Sequence, residues 1–416
     1  MEFGLPILVI AIVGGLYMAW AIGANDVANA MGTSVGSGAL TLKRAIIVAA
    51  VFEFAGAVLA GSSVSKTIRK GIVDPDAFAA NPELLVFGMT ASLLAAAVWL
   101  NIATRFGWPV STTHSIVGAI VGFSAVGLGM DAVSWGKVGA IVASWVTSPL
   151  TSGIIAFVGF SALRKFVLES DDPLRRTRIA VPYLAFLTTL IITLVTLWKG
   201  LKHLNLDLSA QGTAIVAISV SFVGAVIARQ LVSRLPDTQD PNDTFQFSNM
   251  ERVFAVLQVY TACAVAFAHG SNDVANAIGP LAAVVATIQA GAVTAKSAVP
   301  IWMLLLGGVG IVVGLSTYGY KVMATVGEKI THLTPSRGYV AEFAAASTIV
   351  VASQLGMPIS TTHTLIGAVI GVSLARGVAA TNFGIIGQIA LSWVITLPAG
   401  AGFAVAFFYL FKTLFG

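Results

Sequence analysis

The chain has 416 residues, of which 57% are hydrophobic and only 10% charged, with a mean hydropathy of +0.90. Soluble domains carry roughly 25% charged residues, so this composition excludes a soluble globular domain and describes an integral membrane protein. The net charge of +5 sits mostly in short loops such as Lys43-Arg44, Lys66 to Lys70 and Arg164 to Arg178, the positive-inside pattern of a membrane protein and no sign of nucleic-acid binding.

In chain order, the first apolar run covers 5–22. It has no basic segment before it, so it reads as a retained helix rather than a cleaved signal peptide. It leads directly into Gly23-Ala-Asn25-Asp26-Val-Ala-Asn29-Ala30. A run at 45–64 carries one acid, Glu53, and 84–104 is another span. Pro109 to about Val126 is too short to cross about 30 Å of hydrocarbon and predicts a half helix bounded by Gly and Pro. Spans at 138–163, 179–198 and 208–228 follow, then the polar linker Pro236 to Asp243. The run 250–268, which holds the single cysteine Cys263 as a packing residue, leads into Gly270-Ser-Asn272-Asp273-Val-Ala-Asn276-Ala277. Runs at 297–320 and 338–356, the latter with Glu342, precede a second half helix from Pro358 to about Leu374 and a last span at 384–411. These continuous apolar stretches suit helices and not the period-two alternation of barrel strands.

The chain is a duplication. The two eight-residue signatures differ only at Ala24 against Ser271, and the segments 107–122 and 356–371 share nine of sixteen positions, including Pro-x-Ser-Thr-Thr-His. Asp26 to Asp273 is 247 residues and Ser111 to Ser360 is 249, one period reported twice. This divides the chain into repeat 1 at 1–165, two connecting helices and a linker at 166–249, and repeat 2 at 250–416. The most basic loop, with Arg164, Lys165, Arg175, Arg176 and Arg178, is expected on the cytoplasmic side, and the N-terminus offers only Glu2. An outside start and an inside finish give repeat 1 an odd number of crossings, so the repeats are inverted and both termini are extracytoplasmic. The predicted fold is therefore an all-α polytopic membrane protein, with two inverted repeats whose broken or re-entrant helices meet at a central site.

Carboxylates at bilayer depth mark functional sites. Asp26 and Asp273, with Asn25, Asn29, Asn272 and Asn276 within a turn of them, offer the oxygens a hard monovalent cation needs, completed by carbonyls at an expected helix break. Ser111 and Ser360 are natural N-caps, and the amides behind them, with the hydroxyls of Thr112, Thr113, Thr361 and Thr362, form two anion-binding helix ends. Two ionised aspartates and a dianion far exceed two helix ends of about half a charge each. No Lys or Arg lies in either motif, so bound cations must accompany the anion, and two sodium ions bring the sum close to minus one. His114, His363, Glu53 and Glu342 are candidates for gating, proton transfer or support of the site, against a plain packing or hydrogen-bonding role. The period of 247 sets Glu53 opposite Pro300, so the two glutamates are not counterparts.

The paired signatures and both Pro-x-Ser-Thr-Thr-His segments resemble the PiT family of inorganic phosphate transporters over essentially the whole chain. The resemblance implies a symporter that carries phosphate with sodium or protons, often as a dimer. By motif, it makes Asp26 and Asp273 the sodium-site acids beside Asn25 and Asn272. Ser111 to Thr113 and Ser360 to Thr362 become the phosphate ligands, with Asn29 and Asn276 next to them. The reading is a multi-pass cell-membrane transporter, not an enzyme, that imports phosphate with sodium by alternating access and needs no cofactor. One half is expected to rock against the other around the central site. The alternatives are proton coupling, sulfate as the anion, and a passive anion channel.

Overall fold

In the computed structural model, residues 4–62, 64, 65, 72, 73, 75–195, 197, 209–234, 249–293, 299–328 and 330–416 are described. The linker Pro236 to Asp243, Lys66 to Lys70 and the whole segment 198–208 lie outside them. The chain folds as α1 (Gly4–Gly36), α2 (Leu42–Ala60), α3 (Pro82–Arg105), α4 (Thr112–Gly127), α5 (Trp135–Leu163), α6 (Pro173–Val195), α7 (Ala210–Ser233), α8 (Asn249–Ala290), α9 (Ile301–Tyr318), α10 (Tyr320–Glu328), α11 (Pro335–Gln354), α12 (Thr361–Arg376) and α13 (Phe383–Phe415). Among the described residues, eight helices are long and apolar enough to cross a membrane, and α4 is a shorter apolar helix. Among the described residues, every predicted apolar run is helical over most of its length, and both half helices start and stop within a few residues of their predicted bounds.

One local expectation fails. Neither signature sits at a helix break: α1 runs for 33 residues and α8 for 42, unbroken through Asn25-Asp26 and Asn272-Asp273. Asn and Asp weaken helices because their side chains compete for nearby backbone groups. Here the side chains of Asn25, Asn272 and Asp273 are hydrogen-bonded to other elements, so the competition is reduced and the backbone stays helical. No unwound carbonyl is available at either signature.

The copies interleave rather than stand side by side. Helix α1 packs on α9, α2 on α8, α4 on α13 and α12 on α5, each pair joining a helix from one copy to a helix from the other. Glycine allows the closest crossings. A Cβ on Gly23 would stand 2.0 Å from the Ile311 carbonyl oxygen, and one on Gly270 would stand 2.1 Å from that of Glu53. Likewise, a Cβ on Gly314 meets the Trp20 carbonyl oxygen at 1.9 Å and one on Gly56 meets that of Phe267 at 2.0 Å. These matched contacts make Ile311, not Pro300, the structural counterpart of Glu53. The connection between α8 and α9 is longer than that between α1 and α2, and shifts the register after the signature.

Candidate functional site

The segment Gly-x-Pro-x-Ser-Thr-Thr-His is a helix stop, a turn and a helix start in sequence. Gly107 and Gly356 take φ values of 68° and 69° just past α3 and α11, the left-handed conformation that ends helices. The amides of Gly107 and Trp108 bond the carbonyls of Thr104 and Ala103 at 3.1 and 3.0 Å, and those of Gly356 and Met357 bond Ser353 and Ala352 at 3.0 Å each. Proline follows, since the helix cannot continue. Ser111 then accepts the His114 amide at 3.2 Å, and Ser360 that of His363 at 3.1 Å. Each serine caps a 16-residue half helix whose first amides have no partner within their own helix.

The two half-helix tips meet each other. Thr113 donates its hydroxyl to the Ile359 carbonyl at 2.9 Å, and Thr362 donates to that of Val110 at 3.2 Å. Such reciprocal bonds are the mark of a local two-fold axis. The asparagines cross as well: Asn29 donates to Thr362 Oγ1 at 2.8 Å, and Asn276 to Thr112 and Thr113 at 3.2 and 3.3 Å. Thr361 donates to Asp273 Oδ2 at 2.7 Å, and the Thr112 hydroxyl faces Asp26. Both helix ends, both aspartates and both inner asparagines therefore share one buried centre.

The aspartates are bridged by a residue the sequence reading passed over. His269 Nε2 lies 2.9 Å from Asp273 Oδ2 and 3.8 Å from Asp26 Oδ2, while its Nδ1 lies 3.3 Å from Glu53 Oε2. All four side chains are fully buried. Ligand atoms of Asp26, His269 and Asp273 fall within 4.8 Å of one another, close enough to hold one cation. Buried charges need a partner, and the imidazole serves three carboxylates at once. The signal was available: His269 is an ionisable residue directly before the second signature, where the first has Ile22. Attention to what the copies share hid what they do not.

Asn25 and Asn272 fasten the turns. Asn25 donates to Thr104 Oγ1 at 2.9 Å and to the Trp108 carbonyl at 3.1 Å, and accepts the Val110 amide at 3.3 Å. Asn272 donates to Ser353 Oγ at 2.9 Å, the counterpart of Thr104. The other predicted residues lie further out. Glu342 accepts hydrogen bonds from Thr33 (2.7 Å), Ser34 (2.6 Å), Gln258 (3.0 Å) and Thr261 (2.6 Å), and Ser37 steadies Gln258 at 2.6 Å. His114 and His363 pack ring to ring at 4.3 Å between Trp145 and Trp393, and His363 donates from Nδ1 to the Trp145 carbonyl at 3.3 Å. They tie the first turn of the half helices to α5 and α13. Cys263 is a free, partly buried thiol.

Residues 22–404 match the model of a family described as "Phosphate transporter family". A Haemophilus influenzae protein named "Putative phosphate permease" is 48% identical over 415 residues, covering 100% of this chain and 99% of that one. The Arabidopsis thaliana "Inorganic phosphate transporter 2-1, chloroplastic" is 43% identical, covering 96% of this chain and 71% of its own. Among solved structures, "The sodium-dependent phosphate transporter" superposes with a TM-score of 0.91 at 41% identity, over 98% of this chain and 100% of that one.

Proposed function

The chain belongs to the phosphate transporter family, and we propose that it imports inorganic phosphate together with sodium ions by alternating access. Family membership makes it a multi-pass membrane transporter and not an enzyme. The observation that carries the reading is the meeting of Asp26 and Asp273 on one imidazole, at the junction of two helix N-termini. Phosphate belongs at the tips of α4 and α12, on the orphan amides of Thr112, Thr113, Thr361 and Thr362 and the hydroxyls of Ser111 and Ser360. Sodium belongs on the carboxylate oxygens of Asp26 and Asp273, with Asn25 and Asn272 holding the turns behind them.

Charge supplies the coupling. Three carboxylates oppose at most one imidazolium and two helix ends of about half a charge each, leaving the centre negative before any anion arrives. A dianion entering alone is repelled, and sodium ions that neutralise the aspartates recruit it. Because the copies interleave, the bodies that move are mixed sets of helices and not the two sequence repeats. The orientation that goes with import places the basic turn at Arg164–Leu168 inside the cell and both termini outside. A homodimer is the assembly in keeping with the family.

Uptake of labelled phosphate into proteoliposomes tests the reading. Uptake rises with an inward sodium gradient and falls at least 100-fold in Asp26→Asn and Asp273→Asn, with both variants still monodisperse; full uptake in either one removes its acid from the site. His269 among three carboxylates favours proton coupling as the second reading. Uptake that persists without sodium and climbs as the outside pH falls selects it.

A further inference from the structure

The helix tips offer donors, and donors alone do not separate phosphate from sulfate, since both are tetrahedral oxyanions. The carboxylates do. Among the described residues, neither oxygen of Asp26 nor Oδ1 of Asp273 has a partner in full hydrogen-bond geometry, although both residues have an exposure of 0%. A buried carboxylate oxygen without a partner carries a penalty of about 1–3 kcal/mol or more. Several donors nearby are already committed. The hydroxyls of Thr113 and Thr362 go to the opposing loop carbonyls, that of Thr361 goes to Asp273 Oδ2, and the amides of His114 and His363 go to their capping serines. None of these turns to Asp26, which is faced by the Thr112 hydroxyl and has His269 Nε2 at 3.8 Å.

We propose that Asp26 accepts a hydrogen bond from the proton carried by the bound oxyanion, so that the site selects phosphate and arsenate and rejects sulfate. This rests on the reading of the tips as the phosphate site and adds the element that makes it selective. Near neutral pH, phosphate always keeps at least one O–H, whereas sulfate keeps none and would face Asp26 lone pair to lone pair. Asp26 contributes because its contacts are the looser ones, with the Thr112 hydroxyl at the tip of α4 facing it and His269 Nε2 at 3.8 Å, whereas Asp273 Oδ2 holds Thr361 at 2.7 Å and His269 at 2.9 Å. Sites built to bond a ligand's O–H reject analogues without it by as much as 10⁴–10⁵-fold. A sodium ion sharing Asp26 would offset part of that repulsion, so a preference of about 100-fold, well below this ceiling, is the expectation.

The experiment is competition against labelled phosphate bound to the purified full-length protein in sodium at pH 8. The competitors are arsenate, sulfate and monofluorophosphate, a tetrahedral phosphorus dianion with fluorine where phosphate has its O–H. Arsenate is expected to compete within about tenfold of phosphate, and sulfate and monofluorophosphate at least 100-fold more weakly. Monofluorophosphate binding within threefold of phosphate overturns the role of Asp26. Failure of labelled phosphate to bind in sodium at all is a separate outcome that removes the phosphate reading and this inference with it. In Asp26→Asn one acceptor oxygen is replaced by a donating NH2 that can meet sulfate, so the sulfate-to-phosphate ratio in whatever binding remains moves toward one, while Asp273→Asn leaves the ratio unchanged. An unmoved ratio in Asp26→Asn also overturns the proposal.

Discussion

The surroundings of Glu342 and of Leu93 are the same place in the two copies of the fold, and they have opposite chemistry. The 249-residue period pairs Glu342 with Leu93, and the 247-residue period pairs Thr33 with Pro280, Ser34 with Leu281, Gln258 with Ala11 and Thr261 with Gly14. Around Glu342 every partner is a hydrogen-bond donor. Around Leu93 the surface is dry: Leu93 and Leu94 lie against Gly14, and Leu281 lies against Gly15. The same divergence recurs at the centre, where Ile22 and Ile311 are the counterparts of His269 and Glu53 in the other copy. Duplication preserved the backbone and the bonds that join the half-helix tips, while polarity was kept at one pole only. The two matched places are therefore chemically unequal, one a cluster of hydrogen bonds and the other apolar side-chain packing.

Exchanging the two poles produces the largest effects. Leu93→Glu puts a carboxylate where none of the four donors exists, and a buried unpaired charge is destabilising by about 3–5 kcal/mol. Thermal unfolding in detergent is expected to show the variant largely unfolded or aggregated under conditions where the parent is stable. Glu342→Leu leaves Thr33, Ser34, Thr261 and Gln258 without their acceptor, at about 1–3 kcal/mol for each group that stays unsatisfied. Glu342→Gln, which keeps the shape and one acceptor oxygen, loses less. A Leu93→Glu protein as stable as the parent would mean that this pole is hydrated, and the contrast would collapse.

Helix crossings test the opposite point, that the backbones did not diverge. Gly56 and Gly314 occupy matched places, each with a neighbouring carbonyl oxygen about where a Cβ would stand. Overpacking typically costs about 1–3 kcal/mol, and here the obstacle is backbone, so Gly56→Ala and Gly314→Ala are both expected near the upper end and within about 1 kcal/mol of each other. Unequal losses of melting temperature would show that one crossing is free to open.

Much of this was legible beforehand, for identifiable reasons. Helix positions follow from apolar length, and the half helices follow from Gly107-Trp-Pro and Gly356-Met-Pro, where a left-handed glycine and a proline leave little choice. The two aspartates stood out because an acid in an apolar run requires a partner. What stayed hidden depends on contacts between distant segments. Helicity through Asn25 and Asn272 needs Thr104 and Ser353 from other helices. The counterpart of Glu53 was misplaced because a longer connection shifted the register. Gln258, Thr33 and Ser34 look like ordinary helix residues until Glu342 is set among them. The interleaving of the copies leaves no trace in hydropathy at all.

The smallest contrast is between Asn25 and Asn272, identical residues in identical motifs. Asn25 makes three hydrogen bonds across the turn before α4, to Thr104, Trp108 and Val110, whereas Asn272 makes one, to Ser353. A net hydrogen bond contributes about 0.5–1.5 kcal/mol, so Asn25→Ala is expected to cost about 2–3 kcal/mol and Asn272→Ala about 1 kcal/mol. The difference has a functional side. Oδ1 of Asn25 is occupied by the Val110 amide, while Oδ1 of Asn272 has no hydrogen-bond partner among the described residues. A sodium ion next to Asp273 can therefore draw on the amide oxygen of Asn272 more readily than one next to Asp26 can draw on that of Asn25. Sodium titration of phosphate uptake separates the two effects. Asn272→Ala, though milder on stability, is expected to raise the half-saturating sodium concentration more than Asn25→Ala does. Equal shifts would show that the two asparagines act alike on the ions, and that their difference is confined to how firmly each turn is held.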